Sequence, residues 1–164
     1  MKAAPKSASP ASRPKPRACP EENLFLELLR TTDMLSRHMT QVLKAEDLTS
    51  NQYNVLRILR GAQPQGLPCS AIGDRMIAAE PDITRLLARL KRLKLIRQHR
   101  DRRDRRVVLT EITESGLELL EAMDPAVRSA PRELLGHIQG SDLAELIRLL
   151  ELARHPCADK PQPR

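Results

Sequence analysis

Basic side chains are concentrated in one segment of the chain, between Arg85 and Arg106. The segment contains eleven lysines and arginines and two acids, a net charge of +9, whereas the whole 164-residue chain carries +7. Like charges at this density repel one another unless a polyanion relieves them. Arginine forms paired hydrogen bonds with phosphate and with guanine. The segment therefore indicates a nucleic-acid site.

The composition favours double-stranded DNA as the partner. Phe25 and Tyr53 are the only aromatic residues, and proteins that read RNA or single strands rely on aromatic side chains for base stacking. A non-specific architectural protein that binds DNA or RNA is the alternative. The charge outside the basic segment sums to −2, which counts against a protein that is basic over its whole surface.

The basic segment spans a predicted helix and a predicted hairpin. CSAIGDRMI and PDITRLLARLKRLK predict two short helices with a tight connection, the helix-turn-helix pattern, with Pro81 in the first turn of the second helix. LIRQH and RRVVLTEIT predict two strands, so the arginines between them form a hairpin tip. Together they predict a winged helix-turn-helix, in which the second helix enters the major groove and the tip lies beside it.

DNA contacts are predicted on both parts of this unit. Thr84 and Arg85 lie near the start of the second helix and can reach base edges or phosphates, although the exposed basic residues after them could also be an ordinary solvated helix face. At the tip, we expect Asp104 to hold a neighbouring guanidinium and to steer Arg106 into a narrow minor groove. The predicted DNA-binding residues are Ser70, Asp82, Thr84, Arg85, Arg89, Arg102, Arg103, Asp104, Arg105 and Arg106.

Longer helices flank this unit. Apolar spacing predicts a first helix over 21–45, and Thr49 with Gln52 forms a capping box for a second helix that ends at Gly61. After the hairpin, Thr113 and Ser141 are predicted N-caps of two further helices, with Pro125 and Pro131 kinking or interrupting the chain between them.

The fold class is therefore mainly α with a small β wing. The predicted organisation is a disordered basic, proline-rich arm at 1–20, a folded domain at 21–154 and a disordered tail at 155–164. Within the domain, the DNA-binding lobe covers about 49–113, and the dimerisation helices cover about 21–46 and 114–154.

Signatures of catalysis and of cofactor binding are missing from the sequence. It contains no GxSxG, HExxH, GxGxxG or P-loop motif, so we predict no enzyme activity, no metal and no cofactor. Cys19, Cys69 and Cys157 form no CxxC pair and no disulfide framework, which favours a reducing cytoplasm. Cys69 could be a redox switch or simply a buried packing residue. No apolar run reaches the roughly 18 residues of a membrane span.

Three motifs in order resemble the multiple-antibiotic-resistance regulator (MarR) family of bacterial transcription factors: LTSNQYNVLRIL, DITRLLARLKRLKLIRQ and RDRRDRRVVLTEITESG. The resemblance covers about Glu21 to Ala153. It implies a homodimer, paired through its terminal helices, that binds a palindromic operator near its own promoter and usually represses. It also implies release by a small, often phenolic or anionic, effector or by thiol oxidation.

By position, Thr84 and Arg85 fall in the family's recognition helix, and Asp104, Arg105 and Arg106 fall on its wing motif Asp-Arg-Arg. The effector cavity is expected between the dimer helices and the winged-helix lobe. Predicted dimer contacts are Leu24, Leu28, Leu35, Leu146, Leu149 and Leu150.

The sequence departs from the family pattern at two places. Lys94 stands where the family usually has the glycine that ends the recognition helix, so this helix is predicted to end in a different way. The thiol-sensing branch of the family carries a cysteine early in its first helix. The matching stretch here is NLFLELL, which counts against that kind of sensing.

Overall fold

A computed structural model describes residues 19–155 of the chain, so the predicted basic arm and tail lie almost entirely outside the described residues. Helices dominate and a small antiparallel sheet accompanies them, which confirms the predicted fold class. Among the described residues, no helix has both the length and the apolar character that crossing a bilayer requires. The elements are α1 Pro20–Lys44, α2 Ser50–Arg60, β1 Leu67–Pro68, α3 Cys69–Gly73, α4 Ile83–Arg92, β2 Ile96–Arg100, β3 Val108–Ile112, α5 Glu114–Leu135 and α6 Gly140–Arg154.

The chain divides into two units, residues 1–34 and 35–164. The described part of the first unit lies almost wholly in the first half of α1. Two of its polar contacts are local: Arg30 donates to the Glu27 carboxylate at 2.7 Å, and the Thr31 hydroxyl donates to the Glu27 carbonyl. Its apolar side chains Leu24, Phe25 and Leu29 are exposed.

The core of the second unit is built mainly of leucine around α2. The predicted capping box is present, because the Gln52 backbone N–H donates to the Thr49 hydroxyl and the Thr49 N–H donates to the Gln52 amide oxygen. Starting the helix there turns one face of α2 into the core, where Gln52 and Tyr53 are also buried. The fully or nearly fully buried apolar residues are Leu43, Val55, Leu56, Leu59, Ile72, Leu87, Leu90, Ile96, Leu120 and Ala130.

The sheet has the strand order β1-β3-β2. β2 and β3 form the predicted hairpin, paired from Ile96 with Ile112 to Arg100 with Val108. The two-residue strand β1 was not predicted, and it pairs Leu67 with Thr110. Gly66, just before it, has φ +69, and a Cβ there would lie 2.8 Å from the Thr110 carbonyl oxygen. Only glycine combines that backbone conformation with so close an approach.

Two predictions about the last helices need correction. The prolines do not interrupt the chain. α5 runs as one helix through Pro125 and Pro131, because a helix of 22 residues keeps the hydrogen bonds of its other turns when a proline removes one. Ser141 does not cap α6. Gln139 is the extended N-cap residue, so Ser141 already lies inside the helix, where its hydroxyl contacts only the Asp142 carboxylate. Thr113 caps α5 as predicted, at 3.2 Å from the Gly116 N–H.

Both ends of α4 differ from the prediction. Asp82 is the N-cap, and its carboxylate accepts from the Arg85 N–H at 3.0 Å, so Pro81 lies before the helix and not in its first turn. At the other end Lys94 adopts φ +61, the conformation that a glycine would take. The Leu95 N–H donates to the Leu90 carbonyl and the Lys94 N–H to the Lys91 carbonyl, the paired bonds of a Schellman ending. Since these bonds offset the strain, the helix keeps its usual ending without the glycine.

Candidate nucleic-acid interface

The exposed face of α4 is basic along its length. Leu87 and Leu90 are buried against the core, which leaves Arg85, Arg89 and Arg92 exposed to solvent. Thr84 is exposed at the start of the same helix. These arginines line one open groove together with Glu80, Asp82, Leu86 and Ala88. The structure therefore brings together most of the predicted helix residues but leaves Ser70 on α3, outside the lining of this groove.

Two asparagines of α2 hold the connection that leads into α4. The Asn51 amide donates to the Glu80 carboxylate at 2.5 Å, and the Asn54 amide oxygen accepts from the Ile77 N–H at 2.9 Å. These bonds fix where α4 starts relative to α2. Neither residue was predicted from the sequence. The available signal was their spacing of three positions on the polar side of a predicted helix.

The wing tip is folded by a repeated Asp-Arg-Arg sequence. The Asp101 carboxylate accepts from the Arg103 N–H at 2.6 Å, and the Asp104 carboxylate accepts from the Arg106 N–H at 2.9 Å. Each bond spans two residues, as in an Asx turn. The Asp101 N–H donates to the Val107 carbonyl and closes the loop. The two acids of the basic segment thus shape the backbone from which the arginines project.

The predicted role of Asp104 is therefore wrong in one respect. Its carboxylate binds the backbone N–H of Arg106, and among the described residues no guanidinium lies within ion-pair distance of it. The N–H two residues ahead is fixed by the turn, whereas a guanidinium would have to be ordered from a flexible chain. A second tie was not predicted: the Arg100 guanidinium donates to the Arg105 carbonyl at 2.6 Å.

The arginines of the segment fall into two groups. Arg97 on β2 is paired with the Glu111 carboxylate at 2.6 Å, and His99 lies 3.5 Å from the same group. By contrast, the tip arginines are exposed. Within residues 19–155, seven arginines of α4 and the wing tip form no ion pair and no side-chain hydrogen bond: Arg85, Arg89, Arg92, Arg102, Arg103, Arg105 and Arg106. These seven guanidinium groups are available to a polyanion.

An ion pair joins α2 to α5. Arg60, at the end of α2, donates to both carboxylate oxygens of Asp124 at 3.1–3.2 Å. Arg128 lies 3.2 Å from the same carboxylate. Nearby, burial raises the pKa of Tyr53, with the Arg57 guanidinium 5.9 Å from its ring opposing the shift. The orientation of α2 is thus tied to α5 by charge as well as by packing.

The remaining candidates for a site are a metal cluster, the cysteines and a buried histidine. In the part of the chain that the structure describes, no cluster of three or more His, Cys, Asp or Glu side chains could hold a metal ion. Cys69 is partly buried against the core and Cys19 is exposed, while Cys157 lies outside the described residues. His38 Nε2 is buried without a hydrogen bond, 3.7 Å from a Glu133 oxygen.

Comparison with known proteins gives matches over most of the chain. A family model described as transcriptional regulator SarA/Rot matches residues 37–123. The crystal structure of a MarR transcription factor from Planctomyces limnophilus is 37% identical, covers 85% of this chain and 99% of that one, and has a TM-score of 0.63. The DNA complex of S. aureus MepR is 25% identical, with 79% and 95% covered and a TM-score of 0.71. The transcriptional activatory protein BadR of Rhodopseudomonas palustris is 29% identical over 129 residues, 77% of this chain and 74% of BadR.

Proposed function

The chain belongs to the MarR family of winged-helix, DNA-binding transcription regulators, and from that premise we propose that it binds a palindromic operator as a homodimer. Bound there, it represses the neighbouring promoter until a small-molecule effector releases it. The observation that carries the proposal is the set of seven unpaired arginines, three on α4 and four on the wing tip. A winged helix places these two elements against the major groove and the backbone beside it.

The electrostatics of the tip favour DNA over simple solubility. Arg102, Arg103, Arg105 and Arg106 project from one short loop whose two acids are already bonded to its backbone. Because the loop is held by these bonds, its arginines are presented without first having to order the chain, and binding costs less conformational entropy. Phosphates or a narrow minor groove would relieve their mutual repulsion.

Apolar side chains on the terminal helices support the homodimer. α6 contains many apolar residues, but none of its residues is buried. Four of its large apolar side chains are 41–63% exposed: Leu146, Ile147, Leu149 and Leu152. On the first half of α1, Leu24, Phe25 and Leu29 are 53–61% exposed. Monomeric proteins rarely leave apolar surface of this extent uncovered. A twofold pairing would present two α4 helices to half-sites about 34–36 Å apart, one turn of DNA.

An open depression suggests where an effector could act. It is lined by Lys44 of α1, by Leu48 and Thr49 before α2, and by Glu80 and Leu86 beside and on the recognition helix. An occupant would touch both the end of α1 and the segment that sets the position of α4. Lys44 supplies a positive charge for a phenolic acid's carboxylate, in a lining that also contains the acids Asp47 and Glu80. Because a ligand at 100 times its Kd adds about 2.7 kcal/mol to stability, a panel of phenolic acids should produce a measurable thermal shift, which Lys44→Ala should reduce.

The decisive experiment is selection of DNA by the purified full chain, followed by footprinting at several salt concentrations. We expect one palindrome to be protected in the presence of excess random duplex. Arg106→Gln should weaken binding to all sequences and make its salt dependence shallower. Arg132→Gln, which removes an exposed arginine from α5, is the matched control and should leave binding unchanged. Equal affinity for specific and random duplexes would instead indicate the non-specific architectural protein.

The sign of regulation has its own test. A reporter driven by the selected operator should become more active when the gene is deleted. BadR is a transcriptional activatory protein, and the opposite result would mean that this chain acts in the same sense. Reduced reporter activity would reject repression and leave operator binding intact.

A further inference from the structure

We infer that α4 selects an operator with a guanine and a thymine on neighbouring base pairs, read by the Arg85 guanidinium and by the methyl group of Ala88. The inference rests on the proposed operator binding and adds to it a base preference and a residue that reads the base. It follows from which side chains occupy the middle of the exposed helix face, and from which of them are already engaged.

Ala88 lies near the middle of the length of α4, on its exposed side. With 3.6 residues per turn, Arg85, Ala88 and Arg92 project within about 60° of one another, on the side away from the buried Leu87 and Leu90. All three are exposed and line the same groove. Ala88 has the shortest side chain among them, so the helix can come closest to a base edge at this position.

The surroundings of Arg85 favour a base over a phosphate. Its own N–H is held by the Asp82 carboxylate, while its guanidinium is unpaired among the described residues. Glu80 and Asp82 line the groove at this end and repel phosphate there. Both acids are already bonded within the protein, so they are poor acceptors for a cytosine amino group. A free guanidinium in the first turn of a recognition helix pairs best with O6 and N7 of guanine.

The side chain of Ala88 can recognise only one kind of base. Alanine has no donor or acceptor, and in the major groove only thymine offers a methyl group to an apolar side chain. Ala88 follows Arg85 by three residues, about 4.5 Å along the helix axis, and successive base pairs are about 3.4 Å apart. The two contacts therefore fall on adjacent base pairs when the helix lies along the groove. Arg89 and Arg92, farther from the acids, remain for phosphates.

The test uses the selected operator with one functional group of one base changed at a time, in one half-site. Replacing the thymine by uracil removes only the methyl and should weaken binding by roughly fourfold, the value of one buried methyl group. Replacing the guanine by 7-deazaguanine removes N7 and should weaken binding by about tenfold, within the range for a bidentate contact. Inosine keeps O6 and N7 and is the control that should leave affinity unchanged.

Variants of the protein show which residue is responsible for each loss of affinity. Ala88→Gly should bind thymine and uracil operators equally, and Arg85→Gln should lose the sensitivity to 7-deazaguanine. Because glycine weakens a helix, Ala88→Asn is a second variant. Its amide can pair with adenine but makes no apolar contact with a methyl group, so binding by this variant should no longer distinguish thymine from uracil.

The outcomes separate the two proposals. If selection recovers no specific site, operator binding itself fails and this inference falls with it. If a specific site is recovered but uracil and 7-deazaguanine have no effect, or their effects persist in Ala88→Gly and Arg85→Gln, the assignment is overturned while operator binding stands.

Discussion

Replacing Lys94 by glycine should stabilise the protein. Lys94 has φ +61 at the end of α4, where an L-residue pays about 1–2 kcal/mol of steric strain. Glycine removes that strain but makes the unfolded chain more flexible, which costs about 0.4–1 kcal/mol. The exposed side chain of Lys94 makes no hydrogen bond or ion pair within the described residues that the variant would lose. The net expectation is a gain of about 0.5–1 kcal/mol in the free energy of unfolding.

Lys91→Gly is the matched control for this variant. It removes the same side chain and charge three residues earlier, inside α4, where glycine should cost roughly 1 kcal/mol. The measurement is urea denaturation of the full chain, with all proteins at one concentration because dimerisation would make stability depend on concentration. Lys94→Gly should raise the unfolding midpoint and Lys91→Gly should lower it.

The reasoning would be refuted by equal losses in the two variants. That result would mean that the Lys94 backbone is not strained, or that its side chain contributes as much as the strain costs. A gain in Lys94→Gly alone would show that the Schellman bonds of Leu95 and Lys94 hold a residue in a conformation that it disfavours.

Three further variants test other parts of the structure. Asp104→Ala removes the bond that shapes the wing tip and should weaken DNA binding by about fivefold, the value of one hydrogen bond, in an anisotropy titration. Tighter binding would mean that only the acid's charge matters. Gly116→Ala would force a Cβ into a neighbouring backbone carbonyl and should lower the free energy of unfolding by about 1–3 kcal/mol, whereas Gly140→Ala, with nothing within 4 Å, should not destabilise. Burial raises the pKa of Tyr53, so the unfolded state ionises first and stability falls as pH rises past about 10. Tyr53→Phe should flatten that loss in denaturation curves at pH 9–11.

The elements that could be predicted from sequence are those with local signals. Thr49 and Gln52 are three residues apart and form their capping box from their own side chains. The β2–β3 hairpin follows from the segments LIRQH and RRVVLTEIT on either side of one arginine-rich tip, and its register pairs neighbouring parts of the chain. In each case the residues that carry the signal also make the contact.

The unpredicted contacts join residues far apart in the sequence. Asn51 with Glu80 spans 29 positions and Arg60 with Asp124 spans 64. No local pattern indicates which acid an asparagine or arginine will meet, because the partner is set by how the helices pack. β1 was not predicted for a related reason. Two residues, one of them proline, are too few to show the alternation of apolar and polar residues that marks a strand, and only the pairing with β3 defines them.

Charge density and hydrogen bonding answer different questions about the basic segment. The excess of arginine points to the proposed interface, but it cannot separate the residues proposed to bind DNA from the residues that build the wing. The structure identifies two of the second group: Arg97 is paired with Glu111 and Arg100 with the Arg105 carbonyl. Their removal should weaken the hairpin as well as reduce its charge, whereas removal of an unpaired tip arginine should act through DNA alone. Equal formal charges within one short segment therefore have different consequences, and the bonded partners of each guanidinium decide which.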